Sequence, residues 1–268
     1  MKIYILGSTG MLGRYVSTYL ENKNFSVHKI CRKDMDLSYI NESILESFLN
    51  LYKDDIVINC AGTIKPRVDE LGVLNALLVN SVVPYRLANI CEKNRAKMIH
   101  ITTDCVFTGG KGNYTEEDEH DVTDVYGRTK SLGEPENCTI IRTSIIGEEI
   151  GQSRSLIEWI KSCKNKKVNG FLNHYWNGVT CLQLAKIINE MIEKNIWWNS
   201  VRHIYSNSVN KYELLTIIND IYELNVEIKD INYSTSCDRT LSSIYNLDFN
   251  IPHLDIQIKE LKNFQLTA

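Results

Sequence analysis

Tyr126 and Lys130 stand four residues apart in Tyr126-Gly127-Arg128-Thr129-Lys130, and on a helix that spacing puts both side chains on one face. An ammonium held beside a phenol lowers the cost of ionising it, moving a group with a free pKa of about 10 toward acid-base work near neutrality. Taken alone, the pair is better read as a packed ring beside a solvated amine. The chemical reading gains from a second feature upstream, Gly7-Ser8-Thr9-Gly10-Met11-Leu12-Gly13, which follows the apolar run Ile3-Tyr4-Ile5-Leu6 and opens a helical pattern. Glycines at 7, 10 and 13 permit a tight turn and close backbone approach to a pyrophosphate at the positive end of a helix. Together the two features are those of a nicotinamide-dependent reductase.

The elements that must position these residues alternate along the chain. Apolar runs at 2–6, 26–30, 56–60, 97–102 and 138–142 predict strands. Helical patterns intervene at about 11–22, 40–50 and 73–93 and around Tyr126 and Lys130. That alternation predicts an α/β fold with a doubly wound parallel sheet. Leu182, Leu184, Ala185, Ile187, Ile188, Met191 and Ile192 have helical spacing and are expected to pack back on the sheet, before a short strand near 202–205. The division expected is a dinucleotide-binding domain from 1–146 and 180–206, with a smaller, discontinuous substrate lobe from the less regular 147–179 and 207–268.

Direct cofactor contacts are expected from Gly7, Thr9, Gly10, Met11, Leu12 and Gly13. After the second strand, where a carboxylate would hold the ribose hydroxyls of NAD, the chain carries Cys31-Arg32-Lys33. Two cations there favour a 2′-phosphate and hence NADPH, against a solvated basic turn as the alternative. Asp36 is either an adenine contact or an exposed helix-leading aspartate. Asn59, Ala61 and Gly62 end the third strand, where small residues let backbone approach the cofactor. Asn80 either holds the active-site backbone or sits on a helix surface.

At 268 residues the chain can bury a full core, and a formal charge of -3 gives no basic field for nucleic acid. Met1-Lys2 runs straight into an apolar strand, and no apolar stretch is expected to reach the ~20 residues of a membrane span. A cytoplasmic protein without membrane attachment is therefore expected. The eight cysteines are scattered with no C-x-x-C pair, so no metal site is expected and most should be buried as small apolar residues.

These motifs resemble those of the extended short-chain dehydrogenase/reductases, and within them the dTDP-4-dehydrorhamnose reductases. The resemblance rests on the glycine turn, Thr102-Thr103-Asp104-Cys105-Val106-Phe107, the Tyr126–Lys130 run, Arg142-Thr143-Ser144, and Gly178-Val179-Thr180 before a helix. It spans about the first 190 residues. It implies a catalytic set in which Thr103 hydrogen-bonds the substrate carbonyl, Tyr126 protonates its oxygen, and Lys130 binds ribose and tunes the phenol. The implied substrate is a 4-keto-6-deoxy nucleotide sugar, reduced at carbon 4. Asp104, Cys105, Trp176 and Arg239 are expected at the substrate, with Trp176 stacking a base or packing and Arg239 meeting an anion.

One departure bears on mechanism. Cys105 stands where the rhamnose reductases carry tyrosine, and in that respect the chain resembles the GDP-fucose synthases and plant-type epimerase-reductases, in which this cysteine is an acid or base. A thiol of pKa about 8.5 can exchange a proton beside a C4 ketone, and a small buried cysteine is the other reading. Inversion needs a second group, for which Lys161, Lys164 and His174 are candidates. Two further functions stay open: a nucleotide-sugar epimerase or dehydratase with retained NAD, and a non-catalytic subunit like the regulatory β subunit of methionine adenosyltransferase. A homodimer through helices near 75–93 and 115–133 is the expected assembly.

Overall fold

The computed structural model describes residues 1–151, 154–246 and 249–266. Six parallel strands form the central sheet: β1 (Ile3–Leu6), β2 (Val27–Ile30), β3 (Ile56–Asn59), β4 (Lys97–Thr103), β5 (Thr139–Thr143) and, further along the chain, β10 (Ser200–His203). Their order is β10-β5-β4-β3-β1-β2, so the winding direction reverses between β1 and β3. A ligand crevice is expected at the carboxyl ends of the strands at such a reversal.

Both faces of the sheet are covered, and the strands show why their sequences are apolar without alternation. Ile3 and Ile5 point into one core with Ile56 and Ile58. Tyr4 and Leu6 point into the other with Val57. The first face is closed by α1 (Met11–Asn22) and α7 (Cys181–Glu193), the second by α2 (Glu42–Leu49) and α4 (Val83–Lys93).

The pattern read as one helix over 73–93 is longer and broken. Helix α3 (Lys65–Leu77) begins earlier and is interrupted at Gly72, whose φ is +82°. It then passes through a π-helical turn, Leu78–Val82, before α4. Pro84 has no N–H, and its ring would clash with the carbonyl of Asn80, so the wider turn relieves both problems. Counted from Lys65 to Lys93, this run is apolar and long enough to cross a membrane by length and composition. The sequence reading missed this because it began the helix later. Val79, Asn80, Ser81, Leu87, Ile90 and Cys91 are buried within the fold.

The remaining elements are α5 (Val125–Ser131), β6 (Ile145–Ile146), α6 (Leu156–Ser162), β7 (Lys167–Phe171), β8 (His174–Trp176), β9 (Val179–Thr180), β11 (Val209–Asn210), α8 (Lys211–Tyr222), β12 (Glu227–Ile231), β13 (Cys237–Asp238) and α9 (Leu254–Asn263). Of these, β11, β8 and β13 form a three-stranded sheet, and β7 pairs with β12. The described residues of 147–179 and 207–268 are thus more regular than expected. Past α9, Phe264 stacks on Tyr15 of α1 at 5.9 Å, so the chain end shares a core with the sheet's helices.

Candidate active site

The cleft at the strand ends is built from two adjoining cavities that share Thr9, Gly10, Cys60, Ala61, Gly62 and Arg67. Its floor is the glycine turn. Gly7 has φ +75°, and a Cβ there would lie 2.8 Å from the Ala61 backbone. Gly13 does not line the cleft; a Cβ on it would meet the Gly7 carbonyl oxygen at 2.2 Å, so its absence lets α1 dock on the turn. Gly10 caps α1 without a side-chain hydrogen bond, leaving the first N–H groups of the helix free for an anion.

At one end the cavity is walled by Cys31, Arg32, Met35 and Asp36. Arg32 Nε lies 3.5 Å from Asp36 Oδ2. The Asp36 carboxylate also accepts from the Ser38 N–H at 3.0 Å and the Ser38 hydroxyl at 2.6 Å. Burial raises its pKa, but these donors and Arg32 outweigh burial and hold it below the ordinary value. Asp36 is therefore committed to local partners, while Arg32 stays half-exposed at the cavity wall. Lys33 is exposed and outside the lining, so the basic pair contributes one cation to this wall.

Asn59 and Asn80 lie beneath the cleft. Asn59 Oδ1 accepts from the Ala61 N–H at 3.1 Å, and its amide meets His100 Nδ1 at 3.1 Å. Asn80 Oδ1 accepts from the Thr63 N–H at 2.8 Å, while its amide donates to the Thr63 carbonyl at 3.0 Å and to Thr129 Oγ1 at 3.1 Å. Buried on the π turn, Asn80 is no surface residue; it ties the loop after β3 to the helix of Tyr126 and Lys130. Both asparagines shape the cleft without lining it, Asn80 by holding the Thr63 backbone.

In the central part of the cleft Thr103, Asp104, Cys105, Tyr126 and Lys130 converge. Asp124 caps α5 by accepting from the Gly127 N–H at 3.0 Å, fixing where Tyr126 begins the helix. The Thr103 hydroxyl donates to Asp104 Oδ1 at 3.2 Å and accepts from the Cys105 N–H at 3.2 Å. Lys130 Nζ donates to the Ile101 carbonyl at 3.0 Å. Burial raises the Tyr126 pKa, Cys105 adds to this, and Thr103 opposes it. The expectation of a phenol lowered by its lysine is not met, because burial dominates. Burial lowers the Lys130 ammonium to about 8, with Glu134 and Cys60 opposing.

Cys105, on the cleft, is met from behind by distant sequence. Arg239 Nη1 donates to Cys105 Sγ at 3.9 Å. Burial pushes the Cys105 thiol up to about 12, Asp104 adds to the shift and Arg239 opposes it. The thiol is thus a neutral acid at ordinary pH, away from the value near 8.5 on which easy exchange was argued. Burial also raises Asp104, with Arg239, Ser144 and Thr103 pulling the other way. Of the cysteines, Cys91, Cys138 and Cys181 are buried and five are half-buried, so the expectation that most are buried is corrected.

Trp176 is 6 % exposed and belongs to the main core, which rules out a free face for stacking a base. The candidates for a second acid or base do not gather at Cys105. Lys161 pairs with Glu148 and Glu158. Lys164 is exposed, and the His174 ring meets the Thr235 carbonyl at 3.0 Å and packs on Phe171 and Tyr233. Sequence reasoning missed Arg67, Glu149 and Arg154 on the cleft and Lys211 beside Arg239. For Lys211 a signal existed, since Asn210 and Glu213 form a capping box that fixes it as the first residue of α8.

The family model described as RmlD substrate binding domain matches residues 1–243. A dTDP-4-keto-6-deoxy-D-glucose reductase of Streptomyces niveus is 31% identical over 148 residues, covering 52% of this chain and 51% of that protein. A dTDP-4-dehydrorhamnose reductase of Aggregatibacter actinomycetemcomitans is 28% identical over 211 residues, covering 75% of this chain and 71% of the relative. The first match thus spans about half the relative's length. In three dimensions the chain is similar to the dTDP-4-dehydrorhamnose reductase of Bacillus anthracis in complex with NADP, with a TM-score of 0.81, 18% identity and 98% of each chain covered.

Proposed function

This chain belongs to the RmlD substrate-binding domain family, and from that premise we propose that it reduces the C4 ketone of a 4-keto-6-deoxy nucleotide sugar, UDP- or dTDP-linked, with NADPH. The observation that carries the reading is the meeting of Thr103, Tyr126 and Lys130 in one cleft with the glycine turn.

The cleft suits a dinucleotide. Gly7 and Gly10 present bare backbone to the cleft, the first N–H groups of α1 are uncapped, and Arg32 stands at one end as the partner for a 2′-phosphate. The cofactor supplies hydride to the ketone carbon. Thr103 donates to the ketone oxygen and orients it toward the phenol. Tyr126 gives that oxygen its proton, and being a neutral phenol before the reaction, it is in the right state to do so. Lys130, turning from the Ile101 carbonyl, holds a ribose hydroxyl and stabilises the phenolate left behind. Substrate contacts come from Asp104, Cys105 and Arg239.

We divide the chain between 1–146 with 180–206 for the cofactor and 147–179 with 207–268 for the substrate, since Arg239 comes from the second part. A coupled ring epimerisation is a second reading, favoured by the Arg239 contact to Cys105. The test is NADPH oxidation against UDP- and dTDP-4-keto-6-deoxyhexoses, acetamido forms included, in deuterated water with product NMR. Turnover is expected. Deuterium at carbon 3 or 5 supports epimerisation, and absence of turnover with every sugar overturns the reductase reading.

A further inference from the structure

Asn210 and Asp238 pair with the same residue, Tyr175, from opposite edges of β8. Side chains alternate across a sheet, so the residues next to them, Lys211 and Arg239, fall with Trp176 on the face opposite Tyr175. Two contacts agree with that placement: Lys211 Nζ lies 5.9 Å from the Trp176 ring centroid, and Arg239 reaches Cys105 in the cleft. The charged and titratable neighbours of Lys211 are Asp104, Cys237, Arg239 and Cys105, of which Asp104 and Cys105 line the cleft.

Among the described residues, both cations keep donor capacity unused. Among the described residues the Lys211 ammonium makes no hydrogen bond within 3.5 Å and no ion pair within 4.0 Å. Arg239 Nε is buried without a hydrogen-bond partner. The nearby Asp104 carboxyl is itself pushed toward its neutral form by burial. Two partly desolvated cations with spare donors cost free energy until an anion with several acceptor oxygens arrives.

Resting on the nucleotide-sugar reading above, we propose that Lys211 is a substrate-binding residue that joins Arg239 in holding the diphosphate of the substrate. Lys211→Met keeps an aliphatic stem over Trp176 and removes the charge; Lys211→Arg keeps the charge. The probes are UDP, dTDP and GDP, titrated calorimetrically into the full chain with NADPH present, alongside the matching nucleosides. For Lys211→Met the Kd of the nucleoside diphosphate that wild type prefers is expected to rise about 10- to 100-fold, and KM with it. The nucleoside and NADPH affinities should hold, and Lys211→Arg should stay within a few-fold of wild type. An unchanged diphosphate Kd in Lys211→Met, or an equal loss for the uncharged nucleoside, overturns the inference while an active wild type preserves the reductase reading. A wild type that binds no nucleoside diphosphate and reduces no 4-keto sugar overturns both.

Discussion

Arg239 Nη1 donates to Cys105 Sγ at 3.9 Å across 134 residues of sequence, joining the end of β4 to the segment after β13. The guanidinium opposes a thiol pKa that burial has raised to about 12. Thiolate is the nucleophile, so Cys105 should resist iodoacetamide near pH 7.5, and its rate should climb about tenfold per pH unit toward that value. Arg239→Met should slow it further. Peptide mass spectrometry of Cys105 after timed alkylation would decide, and rapid labelling at neutral pH would contradict the burial argument.

Tyr126→Phe removes the proton donor and keeps the ring. We expect kcat to fall by about 10²-fold or more, with NADPH affinity within a few-fold of wild type. Steady-state turnover and a fluorescence titration separate the two, and a variant with wild-type kcat would remove Tyr126 from the chemistry.

Lys130 carries a pH signature. Its native ammonium loses its proton near 8 because of burial, against about 10.4 in the unfolded chain, so between these values the unfolded state binds more protons and rising pH favours the native state. Compared with Lys130→Met, wild type should gain up to about 1.4 kcal/mol per pH unit over pH 8 to 10. Urea unfolding of both proteins at several pH values reads this, and a flat difference would show that the lysine is solvated.

Gly13→Ala places a Cβ against the Gly7 carbonyl at 2.2 Å, where both neighbours are backbone. Helix α1 must back away from the turn. A loss of stability of about 1–3 kcal/mol is expected from such overpacking, together with weakened dinucleotide binding. Thermal unfolding with and without NADPH would measure both; an unchanged Tm would mean that the turn yields freely.

Arg32→Ala tests cofactor choice. Arg32, at the wall beside Asp36, should supply most of the preference for a 2′-phosphate, so the ratio of NADH to NADPH affinity should shift about tenfold or more. Lys33→Ala, exposed and off the wall, should change the ratio little. Equal effects from both would restore the basic pair as a unit.

Much of this protein was legible in the sequence for local reasons. The 3.6-residue and strand patterns gave the central elements, because apolar spacing records which face each segment buries, and the glycine spacing marked the turn before α1. Tyr126 and Lys130 were identifiable as a pair because helical geometry fixes residues four apart. Tertiary structure decided what required long-range contact. It put Asn80 under the cleft through the π turn before Pro84, buried Trp176, turned Lys130 to Ile101, and left Lys33 outside. Arg239 and Lys211 met only because two short strands flank Tyr175. The pKa values of Cys105 and Tyr126 moved in directions their motifs could not give, since desolvation depends on what the rest of the chain covers.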